Sequence, residues 1–203
     1  MLDFDKFSEE DLKGMLRLFL IVIIFSVASG GLLAIVKTGT QERIELQQLE
    51  FIKGPTIKQI LKDSSNDPLS SRFKLTDNGV ERDFFIGEFN GKKEVIAFES
   101  FGQGFDGAIG VIVAVNVVTD EIVGVGVTTH SETPGVGSRA KTDLSFVNQF
   151  KGMPLKAPFK VTSDGGQINA ISGATVTSRG VCAAVTNMAE IYSRLKRQII
   201  SKL

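Results

Sequence analysis

The sequence predicts an α+β protein, with a single N-terminal transmembrane helix followed by one antiparallel-sheet domain that closes with a C-terminal helix. Three observations carry that reading. Residues 15–36 are an unbroken apolar run, residues 109–117 and 123–127 alternate along two strands, and beyond Arg179 apolar residues recur at steps of three and four. A chain of 203 residues can bury one sizeable core, and about 160 remain beyond the apolar run, which suits one domain better than two.

Residues 15–36 read MLRLFLIVIIFSVASGGLLAIV, where the only charge is Arg17 at one edge, and this is the length that crosses the hydrocarbon core. Roughly a dozen Leu, Ile, Val and Phe residues contribute on the order of −5 kcal/mol to insertion, which offsets the central Ser and Gly. A buried core helix is disfavoured because the stretch has no polar face. A cleaved signal peptide is the better rival, with Lys13 and Arg17 ahead of the apolar core and Ser26-Val27-Ala28 as a small-residue cleavage pattern. The apolar run continues from Leu32 to Val36 past that point, which favours an uncleaved anchor. The chain therefore divides into an N-terminal segment (1–14), a transmembrane helix (15–36), a connecting helix and linker (37–70) and a folded domain (71–203). Lys6, Lys13 and Arg17 before the span nearly balance Lys37 and Arg43 after it, so charge alone does not orient it.

After the span, Ile44, Leu46, Leu49 and Ile52 lie among Gln and Glu, the pattern of a helix leading away from the membrane, which Gly54-Pro55 is expected to end. Residues 63–68 are loop-like in composition. Segments 84–89 and 94–98 flank Asn90-Gly91, the strongest hairpin signal in the chain. Ile109, Val111, Val113, Val115 and Val117 alternate along one strand and Val123, Val125 and Val127 along the next, with Thr119-Asp120 at the turn. Residues 144–150 read as a short helix. Val181, Ala184, Val185, Met188, Ile191, Tyr192, Leu195 and Ile199 form the stripe of the terminal helix, for which Thr177 and Ser178 are the expected N-caps. Cys182 lies in that stripe as buried packing, and as the sole cysteine it forms no intrachain disulfide.

Composition removes several classes of function. Lys and Arg together number 23, equal to Asp and Glu, and no basic run interleaves with aromatics, so nucleic acid is not an expected partner. With one His and one Cys there is no zinc quartet, no H-E-x-x-H and no metal site, and no G-x-S-x-G elbow supports a hydrolase. Gly102 to Gly107 match G-x-G-x-x-G, but the chain then enters an alternating strand. A dinucleotide fold requires a helix there, so the glycines are read as a turn that lets backbone approach a ligand or another strand.

Two motifs carry chemistry. The first is Ile171-Ser-Gly-Ala-Thr-Val-Thr-Ser178, which sets hydroxyls on a Gly-loosened turn just ahead of a helix. The first amides of a helix lack intrahelical acceptors and sit at the positive end of its dipole, so a phosphate held there is stabilised. The plain alternative is that these hydroxyls only cap the helix. The second is His130-Ser-Glu-Thr-Pro-Gly-Val-Gly137, which contains the only histidine and a constrained Pro-Gly turn.

Together these motifs, the C-terminal position of S-G-A-T and the single span resemble the FMN-binding domain family. That family occurs in the G subunit of Rnf-type ferredoxin:NAD oxidoreductases and the C subunit of sodium-pumping NADH:quinone reductases. The resemblance covers most of the chain, with one departure: Asn169 stands where the family commonly has an acidic residue. It implies an electron-transfer subunit of an ion-translocating complex. FMN would be joined covalently by a phosphodiester to Thr175, within a site formed by Ser172, Gly173, Ala174, Thr177 and Ser178. It further implies that His130, Glu132, Thr133, Pro134, Gly135 and Gly137 approach the flavin ring, with Glu132 and Thr133 hydrogen-bonding its polar atoms. No residue has a catalytic role. The implied partners are the other subunits of the complex, a flavin transferase that uses FAD and a divalent metal, and membrane lipid. The implied location is the inner (plasma) membrane, with residues 1–14 cytoplasmic and the domain outside the cytoplasm. The competing reading is a membrane-anchored binding or assembly module without a redox cofactor.

Overall fold

A computed structural model describes residues 9–156 and 158–203, so residues 1–8 of the N-terminal segment lie outside the described residues. The chain forms two compact units, which divide after Gln47. The first is built by α1 (Glu9–Gln47), a helix with no buried residue along its length. It is long and apolar enough to cross a membrane. Beyond the apolar run, the hydroxyls of Thr38 and Thr40 donate to the carbonyls of Ala34 and Val36, so they satisfy themselves within the helix.

The second unit opens with a π-helical turn, Gln48–Lys53, followed by α2 (Gly54–Ile60). Gly54-Pro55 therefore starts a helix and does not end one, contrary to the sequence expectation. Proline at the first helical positions sacrifices only an amide that has no intrahelical partner. Glycine is needed beside it, because a Cβ on Gly54 would lie 2.8 Å from the Leu49 carbonyl oxygen.

The sheet has five strands: β1 (Arg72–Asp77), β2 (Val80–Phe89), β3 (Lys92–Gln103), β4 (Ala108–Asn116) and β5 (Glu121–Val127). They pair in sequence order, all antiparallel. Asn90 and Gly91 both have positive φ, 53° and 76°, as the hairpin reading requires. A second hairpin of the same kind joins β1 to β2 at Asn78 and Gly79, with φ of 50° and 82°. Residues 144–150 divide into α4 (Leu144–Val147), preceded by α3 (Arg139–Thr142), and a 3-10 turn. Of the expected Gly-rich turn, Gly102 and Gln103 belong to β3, and the turn itself runs from Gly104 to Gly107, closed by the Gly104 amide on the Gly107 carbonyl at 2.8 Å.

Strand alternation sends neighbouring residues to opposite faces, and each face has its own core. Phe84, Ile96, Phe98, Val111, Val113 and Val115 pack against α5 (Thr175–Ile200), whose apolar stripe is the one read from the sequence. Phe85, Val95, Ala97, Ile112 and Ala114 pack on the other side against Ile57 of α2 and Leu61 at its C-cap. Phe84 stacks with Phe73 at 5.4 Å and meets Phe98 at 4.6 Å between ring centroids, which ties the edge strand β1 into the first core.

Helix α5 approaches β3 through glycines on both elements. A Cβ on Gly102 would overlap the Gly180 carbonyl and lie 2.8 Å from the Ala184 amide, and one on Gly180 would lie 2.7 Å from the Gln103 carbonyl. Backbone atoms cannot rotate away as a side chain can. Gly102→Ala is therefore expected to cost about 3 kcal/mol of stability, measured as a lowered denaturation midpoint, because the helix must be pushed off the strand.

Candidate functional site

The S-G-A-T run is held at both ends before it reaches α5. Upstream, Gln149 clamps the backbone of Asn169, donating to its carbonyl at 3.1 Å and accepting from its amide at 2.8 Å. The chain then turns through Ser172 and Gly173, closed by the Ala174 amide on the Ile171 carbonyl at 2.9 Å. Gly173 has φ 80°, a conformation that favours glycine at this place in the motif.

The terminal helix starts at Thr175, with Ala174 as an N-cap residue whose side chain offers no hydrogen bond. The expectation that Thr177 and Ser178 are N-caps is thus corrected: both lie inside the first turn and face inward. Ser178 is fully buried; its oxygen accepts from the Ile171 amide at 3.0 Å and donates to the Ala174 carbonyl at 2.9 Å. Thr177 donates its hydroxyl to the carboxylate of Glu132. The first intrahelical bond is made by the Ser178 amide to the Ala174 carbonyl, so the amides of Thr175, Val176 and Thr177 precede it. Thr175 is half-buried and its hydroxyl has no hydrogen-bond partner among the described residues, while Ser172 and Gly173 are exposed.

The 130–137 loop meets this helix start. Glu132 is only 4% exposed and is turned inward, where one carboxylate oxygen accepts from the Asp106 amide at 3.0 Å and the other from Thr177. The carboxylate thereby joins three segments: the 104–107 turn, the loop and α5. Gly137 leaves the room it needs, since a Cβ there would lie 2.8 Å from Glu132 and 2.9 Å from the Thr177 oxygen. Thr133, Pro134, Gly135 and Val136 form the outward side of the loop. Thr133 donates to Asp106 at 3.1 Å and Ser138 accepts from the Gly135 amide at 2.8 Å. His130 is half-buried, with an Nδ1 that has no partner among the described residues.

The structure therefore brings both motifs together and adds residues that sequence reasoning missed. Phe105 (70% exposed), Val136 (43%) and Val176 (42%) come from the three segments that Glu132 joins and leave apolar surface beside the helix start. Phe105 had a signal in its place inside the glycine turn. Gln149 had none, because its partner is backbone 20 residues away.

Residues 104–190 match the FMN-binding domain family. The chain is similar to the G subunit of the ion-translocating oxidoreductase complex of Vibrio vulnificus, 30% identical over 195 residues that span 90% of this chain and 92% of that protein. The G subunit of the same complex in Shewanella oneidensis is also 30% identical, over 93% of this chain and 94% of its own. In fold the chain resembles the C subunit of the Na(+)-translocating NADH-quinone reductase of Parabacteroides distasonis, with a TM-score of 0.58 and 22% identity over 76% of this chain and 96% of that one.

Glu132→Ala is expected to leave the buried Thr177 hydroxyl without its acceptor, at about 1–3 kcal/mol, and to free the amide of the exposed Asp106 from the loop. The variant should denature earlier than wild type and be cut first within residues 130–137 under limited proteolysis.

Proposed function

The chain belongs to the family of G subunits of ion-translocating oxidoreductase complexes, built on an FMN-binding domain, and from that premise we propose that it is a membrane-anchored electron carrier whose FMN is joined to Thr175 by a phosphodiester bond. The observation that carries the reading is the state of the four hydroxyls near the helix start. Thr177 and Ser178 are buried and engaged, whereas Thr175 is the first residue of α5, reachable from solvent and unbonded. The uncapped amides of the first turn stabilise a phosphate placed on it.

The residues present fit the cofactor. A phosphate ester at Thr175 meets the positive end of α5, and the turn through Ser172, Gly173 and Ala174 keeps the approach open. Phe105, Val136 and Val176 offer apolar surface to a planar ring, and His130, Thr133, Pro134, Gly135 and Gly137 border it from the loop. Glu132, Thr177 and Ser178 act from behind, holding loop and helix in register. When bound, the flavin supplies reversible uptake and release of electrons at its ring system. Thr175 is an attachment point and takes no part in that transfer.

The same reading assigns the rest of the molecule. Residues 15–36 are an uncleaved single-pass anchor surrounded by lipid in the inner (plasma) membrane, with residues 1–14 cytoplasmic and the domain outside. Its partners are the other subunits of the complex and a flavin transferase that draws on FAD and a divalent metal. A covalent tether suits that location, because a noncovalent flavin lost outside the cytoplasm is diluted, whereas a bonded one keeps its local concentration.

Thr175→Ala should abolish flavin fluorescence that survives denaturation while leaving the denaturation midpoint near wild type; Ser172→Ala should retain it. A flavin-phosphoryl peptide mapped to Ser172, Thr177 or Ser178 in the wild type overturns the assignment. For topology, protease added to spheroplasts should degrade the C-terminal domain, and the mature protein should keep its residues before Ser29. A protected domain, or a mature N-terminus near Ser29, counts against it.

A further inference from the structure

The π-helical turn that follows α1 in sequence ends at Lys53, and the Lys53 ammonium lies 2.7 Å from Glu99 of β3. The Glu99 side chain is only 10% exposed and the Lys53 side chain 26%. This is the most buried lysine-carboxylate pair in the second unit among the described residues. The other Glu99 oxygen accepts from the Thr128 hydroxyl at 2.5 Å. Thr128 is 1% exposed and stands where β5 ends and the chain enters the 130–137 loop. Its amide and carbonyl are also taken, the first by the Gly110 carbonyl at 2.8 Å and the second by the Lys141 ammonium at 2.7 Å.

Room for this cluster is made at Gly110, where a Cβ would fall 2.7 Å from the Thr128 oxygen and 3.0 Å from Glu99. The aim of Lys53 depends on the π turn. Each helical residue advances the direction of its side chain by about 100°, so conversion of the turn to regular α-helix would swing Lys53 away from β3. Gly54 admits the Leu49 carbonyl that the wider turn places against it. The proposed flavin-bordering loop is thus held at its far side by Glu132 and at its entry by Thr128, and the entry anchor leads through Glu99 to Lys53.

We propose that Lys53 and Glu99 are positioning residues through which the π-helical turn after the membrane helix sets the conformation of the loop that borders the flavin. The proposal rests on the reading of the loop given above. Neither residue touches the cofactor; both act through Thr128. A change in the π-helical turn is then felt at the loop through Glu99 and Thr128.

The test uses the full-length chain with Lys53→Met and, separately, Glu99→Gln, which removes the charge while keeping an oxygen for Thr128 and so leaves no buried carboxylate unpaired. In protein made without a flavin transferase, both variants should raise amide hydrogen exchange severalfold across residues 128–137 and leave α5 and the central strands as in wild type. In flavinylated protein both should shift the midpoint potential and the visible circular dichroism of the flavin at unchanged flavin content, and Lys53→Arg should restore the wild-type values. Wild-type exchange in the loop, or a rise spread equally over sheet and helix, overturns the proposal. So does an unchanged potential and visible spectrum. If the wild type carries no covalent flavin, the Thr175 reading fails, while the exchange comparison still decides the role of Lys53 and Glu99.

Discussion

The approach of α5 to β3 limits where everything else in the site can lie. Gly102 and Gly180 face each other's backbone, so the helix rests on the strand with no side chain between them. That contact occurs just before β3 gives way to the 104–107 turn and one turn after α5 begins. Packing distance at two glycines therefore fixes the start of the helix beside the turn, and the loop that leaves β5 has only one neighbourhood to enter. The apolar stripe of α5 supplies the binding energy of the helix, but it does not set this register; the two glycines do.

Glu132 then closes the neighbourhood. A buried carboxylate is costly unless its oxygens are hydrogen-bonded, and here both are, by an amide of the turn and a hydroxyl of the helix. Among the described residues no lysine or arginine pairs with it. Compensation comes from its position at the first turn of α5, where the helix dipole favours negative charge by about 0.3–1 kcal/mol, more when buried. The same field is what a phosphate on Thr175 would use. Under the proposed attachment, the Glu132 carboxylate on the inner side and a phosphate on the outer side would share one helix end.

Legibility followed periodicity. Helix α5 announces itself by the three-to-four repeat of its buried face, and the strands β2 to β5 by β-branched and aromatic runs bounded by turn residues; β3 and β4 are covered on both faces, so burial of a single face is not what marks them. Strand β1 does not announce itself, since Arg72–Asp77 is an edge strand with only Phe73 and Leu75 turned to the core and Asp77 buried against Arg194. Its hairpin dipeptide Asn78-Gly79 carries the same signal as Asn90-Gly91, but the sequence reading did not use it. Gly54-Pro55 misleads because the same dipeptide serves a helix start and a helix end, and only the π turn before it, which has no sequence code of its own, decides between them. Thr177 and Ser178 mislead for a related reason. A hydroxyl near a helix start reads as a cap, but a cap must precede the first helical residue, and the position of that residue was set by packing at Gly102 and Gly180, outside the motif. Both motifs of the site were legible as motifs; the inward turn of Glu132, which joins them, was not.

If one hydroxyl near this helix start carries the phosphate, as proposed, bonding state and place on the helix separate the candidates more than intrinsic reactivity does. Cys182, two turns along the same helix, is by chemistry the better nucleophile, yet burial pushes its thiol up to about 12, with the charge of Asp164 adding to the effect. It stays neutral and out of reach. Thr177 and Ser178 have the same hydroxyl as Thr175 but spend it on Glu132 and on the Ala174 carbonyl, where freeing it would leave buried partners unsatisfied. Ser172 is exposed, but it sits on the turn before α5, a full three residues ahead of the amides that stabilise an anion. Thr175 alone joins an unbonded hydroxyl to the uncapped helix end. Under the proposed attachment, Thr175 differs from Thr177 and Ser178 in its unbonded, reachable hydroxyl and from Ser172 in its place at the first turn of α5.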